Sequence, residues 1–117
     1  MVRALFICSQ NRLRSPTAEG VFATWQGVES ASAGTDSQAD VPLDTEAIAW
    51  ADVIFVMEKA HRARITKRFS SHIKGKRIVV LDIADNYAFM EPALIEVLEK
   101  KVGPHLIRLG ARPPLAR

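Results

Sequence analysis

The sequence predicts an α/β domain, a doubly wound four-stranded parallel sheet with helices on both faces. Two observations carry this expectation. Three short runs are apolar without alternation, Ala4–Ile7, Val53–Met57 and Ile78–Leu81, the pattern of strands buried on both faces. Helical stretches lie between them, so successive strands are joined by crossovers, and right-handed crossovers distribute helices over both sides of an open sheet.

The elements follow in order. After the first strand, Ser15-Pro16 is a helix-start signal. A helix over 16–26 then places Ala18, Val21, Phe22 and Trp25 on one stripe. A weaker strand fits Val28–Ala33, ahead of Gly34. A short helix is expected over 44–51, with Trp50 packing in the core, and a third helix, basic on most of its surface, over 59–69. The last helix runs from about Pro92 to Leu109, with Ile95, Leu98, Val102, Leu106 and Leu109 at three- and four-residue steps. Pro104 cannot donate to Lys100 and is expected to kink or restart it. Residues 1–110 make one domain, and 111–117, with Pro113-Pro114, reads as a flexible tail.

At 117 residues the chain can bury a core without staples. Its 48% apolar and 25% charged residues are ordinary for a globular protein. No apolar run approaches a membrane span, and Met1-Val-Arg3 leads straight into a strand without a signal-peptide pattern. With a single cysteine, a reducing cytoplasm is the expected location. The net charge of +3 is unevenly spread: from Lys59 to Arg77 there are eight Lys/Arg and no carboxylate. That stretch reads as a solvated face. It carries only Phe69 as an aromatic, so the interleaving needed for base stacking is missing and nucleic acid is not an expected partner.

Chemistry concentrates in Cys8-Ser9-Gln10-Asn11-Arg12-Leu13-Arg14-Ser15. A tight loop here turns successive N–H groups inward into an anion nest, and the following helix adds unpaired amides and the positive end of its dipole. Ser9, Gln10, Asn11, Arg12 and Leu13 form the cradle. Arg14 returns over the pocket, where its planar fork holds two phosphate oxygens at once. This field favours a thiolate at Cys8. Ser15 either donates to that thiolate or caps the helix, with Pro16 at its first position. No glycine lies between Cys8 and Arg14, so Asn11 is the residue expected to take a left-handed backbone.

A thiolate that attacks a phosphate monoester needs an acid to protonate the leaving oxygen. Loops following parallel strands share one edge of the sheet, and 82–89 is such a loop. It offers Asp82, at the strand end, and Asp85, freer to overhang the pocket.

Cys8-x5-Arg14-Ser15-Pro16-x-Ala18-Glu19 closely resembles the amino-terminal signature of the low-molecular-weight protein tyrosine phosphatases. The resemblance implies a phosphotyrosine phosphatase I-like fold and a cysteinyl-phosphate intermediate. It implies hydrolysis of phosphotyrosine or another aryl phosphate on a protein or small molecule, with inorganic phosphate or sulfate able to occupy the pocket and no cofactor or metal. Cys8 takes the place of the nucleophile, Arg14 of the clamp and Asn11 of the asparagine that shapes the loop. Ser32, in Ser32-Ala33-Gly34-Thr35, matches the serine that supports this asparagine. Ile83-Ala84-Asp85-Asn86-Tyr87 resembles the acid loop, which makes Asp85 the acid and Tyr87 an aromatic of the rim. The segment between Thr35 and Asp52 is shorter than in typical members, Asn86 replaces a proline, and Leu13 stands where many members carry a second cysteine.

Two other readings follow from the residues. A non-catalytic oxyanion or phosphoprotein-binding module is compatible with the shortened segment. Arsenate reduction would need an external thiol, since no further cysteine can relay oxidation. His61, His72 and His105 show no ligand spacing and read as surface or partly satisfied histidines. Glu58 reads as a dipole complement at a helix start.

Overall fold

A computed structural model describes residues 1–115. The elements are β1 (Val2–Cys8), α1 (Arg14–Phe22), β2 (Val28–Gly34), α2 (Thr45–Trp50), β3 (Val53–Val56), α3 (Lys59–Arg68), β4 (Arg77–Val80) and α4 (Pro92–Arg108). All three strand pairings are parallel, in the order β2-β1-β3-β4. The doubly wound four-stranded sheet expected from the apolar runs is the sheet observed.

Side chains alternate across a strand, and β1 shows both outcomes. Ala4, Phe6 and Cys8 join the apolar cluster under α1 and α4, while Leu5 and Ile7 join the opposite one with Ile48 of α2 and Ile65 of α3. Phe6 stacks between Phe22 and Phe55, with ring centroids 5.5 and 5.3 Å away. Trp25 is buried edge-on to Phe22, and Trp50 packs half-buried against the second cluster.

Because β1 and β3 are neighbours, this pair is where the connections part. The chain leaves β1 for α1 on one face and leaves β3 for α3 on the other. Such a divergence opens a crevice beyond the carboxyl ends of the strands.

Three expectations need correction. α1 begins at Arg14 and ends at Phe22, short of Gln26. α4 continues through Pro104 without restarting; the helix is held by its buried stripe of Leu94, Leu98, Val102 and Leu106. The tail does not begin at 111, since Ala111 is buried and Arg112 exchanges two backbone hydrogen bonds with Gln26, of 2.9 and 3.0 Å; 116 and 117 lie outside the described residues. Among the described residues no helix is long and apolar enough to cross a membrane.

Candidate active site

The 8–15 loop is built by hydrogen bonds from a distant part of the chain. The carbonyls of Cys8, Ser9 and Gln10 accept from the N–H groups of Thr35, Asp36 and Asp40, at 2.9, 2.9 and 3.1 Å. In a trans peptide the carbonyl and the following N–H point opposite ways. Anchoring these three carbonyls outward therefore turns the amides of Ser9, Gln10 and Asn11 inward. The Asn11 amide shows the result: it donates to Cys8 Sγ at 3.2 Å. Asn11 has φ 58°, the left-handed backbone expected of it, for which asparagine is better suited than most residues.

Cys8 is buried at the end of β1, with Sγ 2.9 Å from Ser15 Oγ. Ser15 also accepts from Asn11 Nδ2 at 2.9 Å. Its hydroxyl thus faces the sulfur and does not cap α1, whose N-cap position is Leu13 and carries no side-chain cap. An acceptor filled by Asn11 leaves the Ser15 proton free to point at sulfur.

Arg14 is almost fully buried. One of its terminal nitrogens, Nη1, donates to Glu58 Oε2 and to the Ile83 carbonyl, both at 2.6 Å. A guanidinium has five N–H donors in a fixed plane. Two are committed to this backing, and the Nε and Nη2 edge remains for a ligand. Asp85 Oδ1 lies 3.6 Å from Nε on that side, with the carboxylate largely exposed. Glu58 carries the electrostatic imprint of the contact: the hydrogen bond from Arg14 holds its carboxyl below the usual range.

The cleft above the sulfur has a volume of about 500 Å³ and is lined by Cys8, Ser9, Gln10, Arg12, Leu13, Arg14 and Asp85. On its rim, Arg12 Nε stands 3.3 Å from Asp40 Oδ1, both side chains being exposed. A slightly larger hollow, about 580 Å³, lies at the opposite edge of the sheet among Met1, Val2, Gly27 and Gly110. The charged side chains that line it, Asp52 and Arg77, are solvent-exposed, and among the described residues no cysteine, serine or threonine lines it. The cysteine, Arg14 and Asp85 gather instead at the smaller cleft.

Asp82 faces away. It lines a separate shallow hollow with Glu58 and Lys59, at a residue of φ 54°. Two sequence assignments do not come together here. Ser32 does not support Asn11; its hydroxyl donates to Glu19 Oε1, because the alternation of β2 aims it at α1. Tyr87 does not line the cleft. It is half-buried against the apolar cluster under α1 and α4, since the chain beyond it folds back onto α1, with the Met90 N–H donating to Thr17 Oγ1 at 2.9 Å.

Two residues of the site escaped the sequence reading. Glu58 backs Arg14. His61 is buried, with Nδ1 accepting from the Glu58 N–H and Nε2 beside Ser9 Oγ, each at 3.0 Å. Burial first, and the Arg14 charge second, push the His61 pKa down. The signal was the Glu-x-x-His spacing directly after β3, a capping-box spacing.

Comparison with solved structures finds the same fold. YwlE arginine phosphatase from Geobacillus stearothermophilus superposes with a TM-score of 0.76 and 25% identity, over 93% of each chain. The fold is that of the low-molecular-weight protein tyrosine phosphatases. The Erwinia amylovora tyrosine phosphatase AmsI matches at TM-score 0.73 and 24% identity over 94% of this chain and 95% of its own. Vibrio vulnificus Wzb, in complex with benzylphosphonate, matches at 0.74 and 21% over 92% and 98%. No protein-family model matches the sequence, and comparison with curated proteins finds no significant match.

Proposed function

We propose that this chain is a cysteine-dependent phosphomonoester hydrolase that acts on protein-borne phosphotyrosine or another aryl phosphate. The observation that carries the reading is the convergence on one sulfur: Cys8 Sγ meets the Ser15 hydroxyl and the Asn11 amide, with Arg14 and Asp85 lining the same cleft. The phosphate dianion sits in the nest of inward amides, gripped by the free edge of Arg14. The Cys8 thiolate attacks phosphorus and the bond to the leaving oxygen breaks. The Asp85 carboxylic acid gives that oxygen its proton. The cysteinyl-phosphate is then attacked by water, whose proton passes to the Asp85 carboxylate. The S–P bond breaks, inorganic phosphate leaves, and Ser15 stabilises the returning thiolate.

The structural neighbours support this chemistry: two carry phosphatase names and the third holds benzylphosphonate, an aryl-bearing phosphate mimic. Turnover of an aryl phosphate is the test. Cys8→Ser is expected to abolish it, Asp85→Asn to lower it by about 10²- to 10³-fold, and Asp82→Asn to leave it near the native rate. Unchanged turnover in Cys8→Ser would overturn the mechanism, and a crippled Asp82→Asn with an active Asp85→Asn would reverse the acid assignment.

One observation favours a second substrate reading. Among the described residues no aromatic ring lines the cleft, and one neighbour is an arginine phosphatase. A peptide panel with phosphotyrosine and phosphoarginine at the same position separates the two by their kcat/KM ratio.

A further inference from the structure

We propose that Ser9 donates its side-chain hydroxyl to the bound oxyanion, and that His61 is the positioning residue that directs the Ser9 proton there; this rests on the phosphatase reading above. The argument is one of proton direction. His61 Nδ1 accepts the Glu58 N–H at 3.0 Å. A neutral imidazole that accepts at one nitrogen carries its proton on the other, so Nε2–H faces Ser9 Oγ, 3.0 Å away, and donates to it. The reverse arrangement, with Ser9 donating to Nε2, would put the ring proton on Nδ1, pointing at the Glu58 N–H, a donor against a donor.

A serine whose oxygen is filled by an imidazole N–H sends its own proton elsewhere. Ser9 is half-exposed and lines the cleft directly beside Cys8. Among the described residues its Oγ has no side-chain partner except His61. The cleft is where the proton points. The imidazole cannot rotate, because it is 3% exposed and bonded at both nitrogens. Its burial and the nearby Arg14 charge keep it neutral, which this geometry requires. The same histidine anchors the backbone of Glu58, whose carboxylate backs Arg14. One side chain therefore aligns a donor on the nucleophile's side of the phosphate and steadies the clamp on the other.

Vanadate inhibition of aryl phosphate turnover, measured for single and double variants, tests the inference. Ser9→Ala should weaken vanadate inhibition by about 5- to 10-fold, the effect of one hydrogen bond to an anion. His61→Leu should weaken it at least as much, and His61→Gln, which keeps an amide donor, should recover part of the loss. In the Ser9→Ala background, the Ser9-dependent part of the His61→Leu effect should vanish; a merely structural role would give additive losses. ¹⁵N NMR of the native imidazole should show the Nε2–H tautomer, and this readout stands even if His61→Leu does not fold. Native-like vanadate inhibition of Ser9→Ala, or an Nδ1–H tautomer, overturns the inference and leaves the phosphatase reading intact. Failure of the native protein to bind vanadate or inorganic phosphate at all removes both.

Discussion

Replacing Gly34 with alanine is the sharpest test of how the loop is held. The backbone of Gly34 is not in the left-handed region, so the substitution carries no dihedral strain. Its effect is one of space. A Cβ at this position would stand 2.5 Å from Ala39 Cβ, 2.6 Å from the Ser9 carbonyl and 3.1 Å from the Asn11 nitrogen. Two of those three atoms are backbone of the 8–15 loop, and a relaxed contact lies roughly 1 Å farther out. Either the loop or the 35–40 segment must move by a comparable amount. Overpacking of this kind costs about 1–3 kcal/mol, a fall in Tm of very roughly 4–12 °C for a domain of this size. The cost to function should be larger, because a 1 Å displacement of reacting groups can lower a rate by about 10²-fold. Gly75→Ala supplies the control. Gly75 has φ +77° with open space around its missing Cβ, so alanine there strains the backbone, lowers stability and leaves turnover alone. Calorimetry and aryl phosphate kinetics on the two variants separate the effects. Native turnover in Gly34→Ala would refute the claim that this close approach sets the loop.

Other perturbations report on other parts of the site. Glu58→Gln should weaken phosphate and vanadate inhibition by about tenfold, through loss of a charged hydrogen bond to Arg14, whereas Asp40→Asn, which loosens an exposed pair with Arg12, should shift Tm by no more than about 2 °C. Phe6→Ala removes the middle ring of the buried stack and should cost on the order of 3–5 kcal/mol in denaturant unfolding. The pH dependence of stability should bear the mark of His61 and His105. Both are held below their ordinary value of 6.5, chiefly by burial, with Arg14 acting on the first and Arg108 and Arg77 on the second. Glu58 and Asp85 oppose the shift at His61 and Arg64 adds to it. As pH falls below 6.5 the unfolded chain takes up these protons first. The stability present above 6.5 is therefore lost progressively down through the depressed folded values, and urea midpoints across that range should show a shallower loss in His61→Gln than in the native protein.

The parts of this fold that can be read in the sequence are those written locally. Unbroken apolar runs identified β1 and β3, buried on both faces, and also β4, a half-buried edge strand. The Cys8–Ser15 spacing identified the loop, because a covered strand and a tight turn of inward amides each impose their pattern on consecutive residues. Distance from the strand end favoured Asp85 over Asp82 as the acid; Asp85 lines the cleft beside Cys8 and Asp82 lines another hollow. Glu58 and His61 were not legible, because their partners, Arg14 and Ser9, lie 44 and 52 residues away. Only the adjacency of β1 and β3 brings them together, and neither local pattern encodes that adjacency. Ser32 and Tyr87 failed for a related reason. Each has the residue type the resemblance asks for, but the strand alternation gives Ser32 to Glu19 and the return of the chain onto α1 gives Tyr87 to the core.

The outward carbonyls of Cys8, Ser9 and Gln10 have a consequence for the protein as an ensemble. Their partners lie at 35–40, and Arg14 leans on residues from the ends of β3 and β4. No single segment thus owns the recognition geometry, and local opening at any of these places dissolves it. By linkage, an occupied cleft opposes all of those excursions together: a ligand at a hundred times its dissociation constant adds about 2.7 kcal/mol against every opening that releases it. Occupancy then quiets distant hinges as much as the loop it touches, and amide exchange at the exit of β2 becomes a reporter of events at the sulfur.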